Sequence, residues 1–374
     1  MTVYVGDLIE AFERWAPLKL AEKWDNVGLQ VGSPQKEVRH IALALDLTPH
    51  TLEQALKLRI DCLITHHPFI FKPLKSLRWD HWQHDLLRKL ILQDVALVSL
   101  HTNLDSARDG VTEILAQALH LRVERALQPS PGAKLYKMVI YAPKGYEERL
   151  RNLILESEAG VIGPYRGCSF ATEGIGSFFP QPEAKPYLGE QRKFNLVPEV
   201  RLEFVIPEFE ISNFLGRLRE LHPYETVPVD LYPLEGEDQR FGLGRIGELP
   251  LEFTVQDLAE KLASLLHSPA VFIVGKSSRL VRKVAICAGA GGDLFYQARS
   301  LGAEIYITAE IKYHLAREAE ALDLPLIVLG HFESERLVVP KMADFLRRWS
   351  MERSCEIEIT ILEEESPFRL IGYA

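Results

Sequence analysis

The sequence predicts an α/β protein: an interrupted, two-lobed α/β domain with mostly parallel sheets, plus a small inserted ferredoxin-like α/β domain. Three observations predict it. Short apolar runs alternate with helical periods through the first and last thirds of the chain, the pattern of strands joined by crossover helices. From Pro129 to about Glu237 prolines and glycines thicken and the order of elements changes, which marks a separate lobe. Both outer thirds also place polar clusters directly after apolar strands: CLITHH at 62–67 parallels IYITAE at 305–310, and SLHTNLD at 99–105 parallels VLGHFES at 328–334. Open α/β sheets build their sites at such strand ends. Residues 1–129 and 238–374 are therefore read as two parts of one domain, and 130–237 as its insertion.

Each element has its own signal. Leu8, Ile9, Phe12 and Trp15 fall at helical spacing within 6–15, and HIALALDL at 40–47 reads as a buried parallel strand. Thr48 or Pro49 opens a helix with a face of Leu52, Ala55, Leu56 and Ile60, and the strand CLIT at 62–65 runs into His66, His67 and Pro68. A helix around 80–92, the strand VALVSL at 95–100 and a helix around 109–119 follow, with right-handed crossovers expected. The middle lobe reads as strand 137–143, helix 146–158, strands within 165–195, strand 200–207, helix 208–220 and strand 225–234, an order compatible with a ferredoxin-like sandwich. In the last third come strand 281–289, a glycine turn, helix 292–301, strand 304–309, helix 311–321, strand 324–330, a long helix 333–349 and a terminal strand 356–363.

Composition narrows the function. With 374 residues, about two to three domains are expected. A net charge of -9 and 47% hydrophobic residues indicate a soluble globular chain rather than a disordered or collagen-like one. Nucleic acid is not expected as a partner, because Lys36 with Arg39 and Arg217 with Arg219 are too short and dispersed for a footprint. Cys62, Cys168, Cys287 and Cys355 are scattered without a CxxC pair, so neither a zinc ribbon nor a dithiol site is written here. No apolar run reaches the roughly 18 residues of a membrane span, and the start MTVYVGDLIEAFERW has no signal-peptide pattern. A cytoplasmic protein without membrane contact is the expectation.

The chemistry lies in the strand ends. A GxGxxG fingerprint ahead of a helix and a GxxxxGK[ST] phosphate loop are both absent, which argues against hydride transfer and P-loop hydrolysis. Gly289-Ala290-Gly291-Gly292-Asp293 reads first as a tight turn needing small residues, with an anion contact as the alternative. His66 and His67, His101 and Asp105, and His331 with Glu335 each follow an apolar run and could converge on one rim. Imidazole with carboxylate suits zinc, iron, manganese, cobalt or nickel better than calcium or magnesium. Asp105 has two oxygens with which to bridge two ions, and His331 and Glu335 share a helical face. Two ions about 3.5–4 Å apart would activate water and clamp a developing oxyanion. Blander readings stand beside this one. The paired histidines could be a polar strand exit, His101 a strand cap or an orienting donor, and HxxxE a chance spacing.

Eight motifs in order carry a resemblance: WDNVGLQVG at 24–32, THHPFIF at 65–71, HTNLD at 101–105, LHPYETVPVDLYPL at 221–234, GLGRIG at 242–247, GAGG at 289–292, KYH at 312–314 and GHFESE at 330–335. Together they resemble the GTP cyclohydrolase 1 type 2 homolog family, also called the Ngg-interacting-factor-like family. The resemblance implies two divalent transition-metal ions per subunit, zinc, iron or manganese foremost, held by His66, His67, Asp105, His331 and Glu335 with Asp105 bridging. It also implies a ring-shaped homohexamer whose sites face an enclosed space, and an inserted domain akin to signalling-protein and divalent-cation-tolerance folds. Thr308-Ala309-Glu310 departs from the family's Thr-Gly-acid run. The expected activity is metal-dependent hydrolysis of a nucleotide-like or heterocyclic small molecule, with Glu310 or His314 protonating the leaving group. Lys312 reads as a phosphate contact or as solvated surface, and His222-Pro223-Tyr224-Glu225 as a structural turn or as a ligand-gating or subunit-contact element. The alternative function is a metal-binding regulatory or scaffold protein without turnover.

Overall fold

In the computed structural model, which describes residues 2–268 and 270–371, the apolar runs of the first third become neighbouring strands. Residues up to Pro131 and from Gln239 onward form one unit, and Gly132–Asp238 another. In the larger unit a five-stranded sheet has the order Glu358–Ile361, His40–Ala44, Cys62–Thr65, Ala96–Ser99, Gly28–Val31. Its first three pairings are parallel and the last is antiparallel. Cys62–Thr65 and Ala96–Ser99 are buried at every position, which is why they read as uninterrupted apolar runs. The helix Pro49–Leu58 starts where the sequence places it: Thr48 Oγ1 accepts from the Thr51 N–H at 3.1 Å, with proline at the first helical position. Its Leu52 and Ala55 pack with Leu63, Leu90 and Leu97.

A six-stranded sheet follows the order Phe272–Val274, Leu326–Val328, Ile305–Thr308, Leu280–Cys287, Arg245–Thr254, Arg122–Arg125. Ile305–Thr308 is parallel to both neighbours, and the flanking pairings are antiparallel. One expected element is divided. The helix expected at 333–349 is two, His331–Glu335 and Val338–Glu352. Pro340 lacks the N–H that would bond to Arg336, so it is accommodated in the first turn of a new helix rather than inside a continuous one.

The smaller unit runs strand Lys134–Pro143, helix Glu147–Leu155, strands Phe170–Phe178 and Asn195–Pro207, helix Ile211–Leu221 and strand Val229–Glu237. Its sheet is antiparallel throughout, in the order Phe170–Phe178, Asn195–Pro207, Lys134–Pro143, Val229–Glu237. Met138, Ile140, Leu202 and Phe204 pack against Leu150, Leu153, Phe214 and Leu218 of the helices. The His-Pro-Tyr turn is bonded within this unit. His222 Nε2 lies 3.0 Å from the Tyr141 carbonyl, and the Tyr224 hydroxyl donates to Glu199 Oε1 at 2.7 Å.

Candidate metal centre

Three strand ends of the larger unit bring the imidazoles and carboxylates together. Cys62–Thr65 delivers His66 and His67, Ala96–Ser99 leads through His101 into the short helix Thr102–Ser106 with Asp105, and Leu326–Val328 leads into His331–Glu335. Glu335 Oε2 lies 2.9 Å from His67 Nε2, 3.0 Å from His331 Nε2 and 3.9 Å from His66 Nε2. His66 Nε2 is also 3.6 Å from Asp105 Oδ1, and the Nε2 atoms of His67 and His331 are 3.3 Å apart. Ligand atoms of His66, His67 and Glu335 lie within 4.8 Å of one another, so this group could hold a metal ion.

The donor atoms pass a simple test of fit. His66 Nε2 is buried without a hydrogen-bond partner, and the buried Glu335 Oε2 is met by the His67 and His331 imidazoles. A buried polar atom left unpaired costs about 1–3 kcal/mol, and a transition-metal ion is a partner that a nitrogen and an oxygen donor accept together.

Outer contacts fix the tautomers. His66 Nδ1 faces the Leu100 carbonyl at 2.7 Å, His67 Nδ1 faces Asp46 Oδ1 at 2.9 Å and His331 Nδ1 faces Glu310 Oε1 at 2.8 Å. A carbonyl or carboxylate only accepts, so each Nδ1 carries a proton, and a ring that gives up any proton on Nε2 turns that lone pair inward. His101 is held the same way, with Nδ1 2.9 Å from Asp25 Oδ1. The other Asp25 oxygen accepts from the Thr102 backbone at 3.0 Å and its hydroxyl at 2.5 Å. Burial pushes the Asp25 carboxyl up, but the His101 and Thr102 bonds outweigh it and hold it down at about 2.

Electrostatics within the ion-free cluster separate its members. Burial is the largest cause that pulls His66 down to about 3, with the neighbouring His67 and His101 adding to it, and that pushes Asp105 up to about 7, with the Glu335 and Asp25 charges adding to it. Burial also opposes charge on His67, yet its bonds to Asp46 and Glu335 raise it to about 10, and Glu335 likewise raises His331 to about 9 against burial. For Glu335 itself burial is opposed by His331 and His67, which hold the carboxyl well below its ordinary range.

The glycine run makes space. Gly289 has a φ of +65°, and a Cβ there would stand 2.0 Å from Glu335 Oε1. Its N–H donates to Ser334 Oγ at 3.2 Å, and the Gly291 N–H donates back to the Gly289 carbonyl at 2.9 Å, as in a tight turn.

Of the residues expected to protonate a leaving group, Glu310 meets the cluster through His331. His314 is exposed on Tyr313–Ala321, and among the described residues no hydrogen bond or ion pair joins it to the cluster. Lys312 is exposed and lines, with Glu310 and Asp293, a cavity of about 190 Å³. Sequence reasoning passed over Asp46 and Asp25. Asp46 follows the strand His40–Ala44, the same polar-after-strand signal that marks the histidines of the cluster. Asp25 sits in the WDN motif with no spacing that would single it out.

The profile of the Duf34/NIF3 (NGG1p interacting factor 3) family matches residues 3–367. The chain belongs to this family. Among its relatives is a GTP cyclohydrolase 1 type 2 homolog of Bacillus subtilis (strain 168), 34% identical over 365 residues, covering 97% of this chain and 98% of the relative. A GTP cyclohydrolase 1 type 2 homolog of Listeria innocua is 36% identical over 320 residues, covering 85% and 86%. Among solved structures, the Bacillus cereus protein related to NIF3 superposes with a TM-score of 0.85 at 34% identity, over 99% of both chains. Staphylococcus aureus protein SA1388 gives 0.72 at 29%, again over 99% of both. Among the described residues of this family member no helix is long and apolar enough to cross a membrane.

Proposed function

We propose that His66, His67, Asp105, His331 and Glu335 hold two divalent transition-metal ions, zinc, iron or manganese, and that the site hydrolyses a nucleotide-like or heterocyclic small molecule. The observation that carries this reading is the buried, unpartnered His66 Nε2 beside Glu335 Oε2, on which His67 and His331 also converge, inside a ring of imidazoles held at Nδ1. Asp105, 3.6 Å from His66, supplies the carboxylate with two oxygens to share between ions. Bound ions would lower the pKa of water and polarise a C=N, carbonyl or phosphoryl group of the substrate.

The remaining work falls to the protein's own groups. Asp46, Glu310 and the Leu100 carbonyl hold the ligand rings in one tautomer. His101, its Nδ1 proton held by Asp25, keeps Nε2 available to take a proton beside the cluster, its ring 5.4 and 5.6 Å from those of His66 and His67. Glu310 enters as the carboxylate on His331, and His314 as a second candidate proton donor. The relatives' name, GTP cyclohydrolase 1 type 2 homolog, supports a nucleotide ring as substrate.

The same reading includes a cytoplasmic homohexamer with its sites facing an enclosed space, which the family resemblance supports. It also takes 130–237 as an inserted ferredoxin-like domain within a metal-binding domain formed by 1–129 and 238–374. The strand, helix, strand, strand, helix, strand order and the antiparallel sheet of the smaller unit support that assignment.

Elemental mass spectrometry on protein purified without added metal or chelator, beside Asp105→Ala, tests the site. About two ions per chain are expected in the native protein and at most one in the variant, with oligomer size unchanged. Fewer than about one ion in both after reconstitution with zinc, manganese or iron would overturn it and leave a scaffold or ligand-sensing protein. A two-ion protein then goes into a turnover screen of nucleotides.

A further inference from the structure

Two large aromatic rings stand exposed beside this cluster without collapsing onto it. Trp24 is 58% exposed and Phe71 42%. Their centroids are 5.8 Å apart with planes at 62°, and both meet His101 edge-on, Trp24 at 6.2 Å and Phe71 at 6.4 Å. The three rings form a corner, and the His101 side of that corner abuts the ligand rings of His66 and His67.

The backbone keeps the corner open. Trp24 precedes Asp25, whose carboxylate is fixed by His101 and Thr102. Asn26 Nδ2 donates to the Ile70 carbonyl, the Ile70 N–H donates to Gln30 Oε1 at 2.8 Å, and Gln30 Nε2 donates back to the Asn26 carbonyl at 2.8 Å. This closed set of bonds ties the segment carrying Trp24 to the segment carrying Phe71. Burying either ring would be favourable, so rings fixed in water are a standing surface for a ligand, ordered in advance. A flat aromatic ring can lay its face on one of the two rings and its edge on the other, and among the described residues the hydrogen bond of the His101 ring is made by Nδ1, which leaves Nε2 to meet a polar ring edge.

We propose that Trp24 and Phe71 seat a planar heteroaromatic ring, of purine or pyrimidine type, stacked on the face of one and met edge-on by the other, with its polar edge toward His101 and the metal ligands. This rests on the reading of the cluster as a hydrolytic metal site and adds the part of the substrate that the site grips.

The test is equilibrium dialysis of the full chain, as purified and after chelator treatment, with labelled guanosine and uridine. It compares wild type with Trp24→Leu, Phe71→Leu and the control Trp79→Leu, an exposed tryptophan covered by Arg88. Stacking predicts that at least one nucleoside binds wild type, that Trp24→Leu and Phe71→Leu each weaken it roughly 5- to 100-fold, and that Trp79→Leu leaves it unchanged. Metal content stays at the wild-type level in all three variants, since none removes a ligand. No nucleoside bound at about millimolar concentration, or wild-type affinity retained in both Trp24→Leu and Phe71→Leu, overturns the proposal. So does a shift to a smaller assembly on size exclusion in Trp24→Leu with nucleoside binding intact, which would make the corner a contact between copies. Nucleoside binding that depends on Trp24 in a protein without metal or turnover would keep the seat and reject the hydrolase.

Discussion

Oε1 of Glu335 occupies the space a side chain on Gly289 would need, since a Cβ there would come within 2.0 Å of it. The left-handed φ of +65° at Gly289 adds a second demand for glycine. Gly289→Ala must therefore displace the carboxylate that meets His67 and His331. We expect its metal content to fall by about half or more, with a loss of roughly 1–2 kcal/mol in stability from the strained backbone. Elemental mass spectrometry and urea unfolding read the two effects, and full metal content in the variant would show that Glu335 does not hold the ion.

Asp46 reaches the metal group only through His67, whose Nδ1 it holds at 2.9 Å. The carboxylate favours any cation on that ring, proton or metal, and a divalent ion gains more from it. Asp46→Ala should weaken metal binding about 10- to 100-fold while leaving all five proposed ligands in place. Competition with a chelator of known affinity measures this. An unchanged dissociation constant would remove Asp46 from the site.

Arg245 is 1% exposed and has its guanidinium fully engaged. Nη1 donates to the carbonyls of Gly242 and Gly244 at 2.6 and 2.8 Å, Nη2 to that of Ala107 at 2.7 Å, and both Nε and Nη2 face Glu113 Oε2 at 3.2 Å. Ala107 ends the short helix that carries Asp105. Arg245→Met would strand a carboxylate and three carbonyls, so a loss of about 3–5 kcal/mol is expected. Denaturant unfolding checks it, and a loss under about 1 kcal/mol would mean that water or a shifted side chain replaces those bonds.

What could be read from the sequence follows physical lines. Cys62–Thr65 and Ala96–Ser99 are legible because burial on both faces leaves apolar residues up to a final Thr65 and Ser99, which pair with each other at 2.9 Å, and the histidines after them stand out against that background. His331 and Glu335 were found through the same contrast and the i,i+4 spacing. Arg245–Thr254 was not read as a strand because Gly247 and Pro250 look like loop residues. The ladder passes Pro250 by a register shift between Glu248 and Phe253. The helix that follows, Val255–Leu266, was readable and overlooked: Thr254 caps it by accepting from the Asp257 N–H, and Val255, Leu258, Ala259, Leu262 and Leu266 are its buried stripe. Asp25 and Asp46 act on the outer nitrogens of histidines, a role that imposes no spacing along the chain.

The smaller unit offers a pH dependence independent of the metal group. Burial pushes the Glu210 carboxyl up to about 7, and the nearby charge of Glu158 adds to this against a hydrogen bond from Asn213 Nδ2. An unfolded glutamate titrates near 4.5. Between those values the folded chain keeps a proton that the unfolded chain has released. Its contribution is thus fully present below about 4.5 and is lost as pH rises through about 7. The loss approaches about 3 kcal/mol by pH 8. Glu210→Gln mimics the protonated form, so it should match wild type near pH 4.5 and exceed it progressively toward pH 8. All 5 tryptophans lie outside Gly132–Asp238, so fluorescence does not report on this unit. Hydrogen-exchange mass spectrometry of Ile211–Leu221 in the full chain does, and equal protection of variant and wild type at pH 8 would show that Glu210 is solvated when charged.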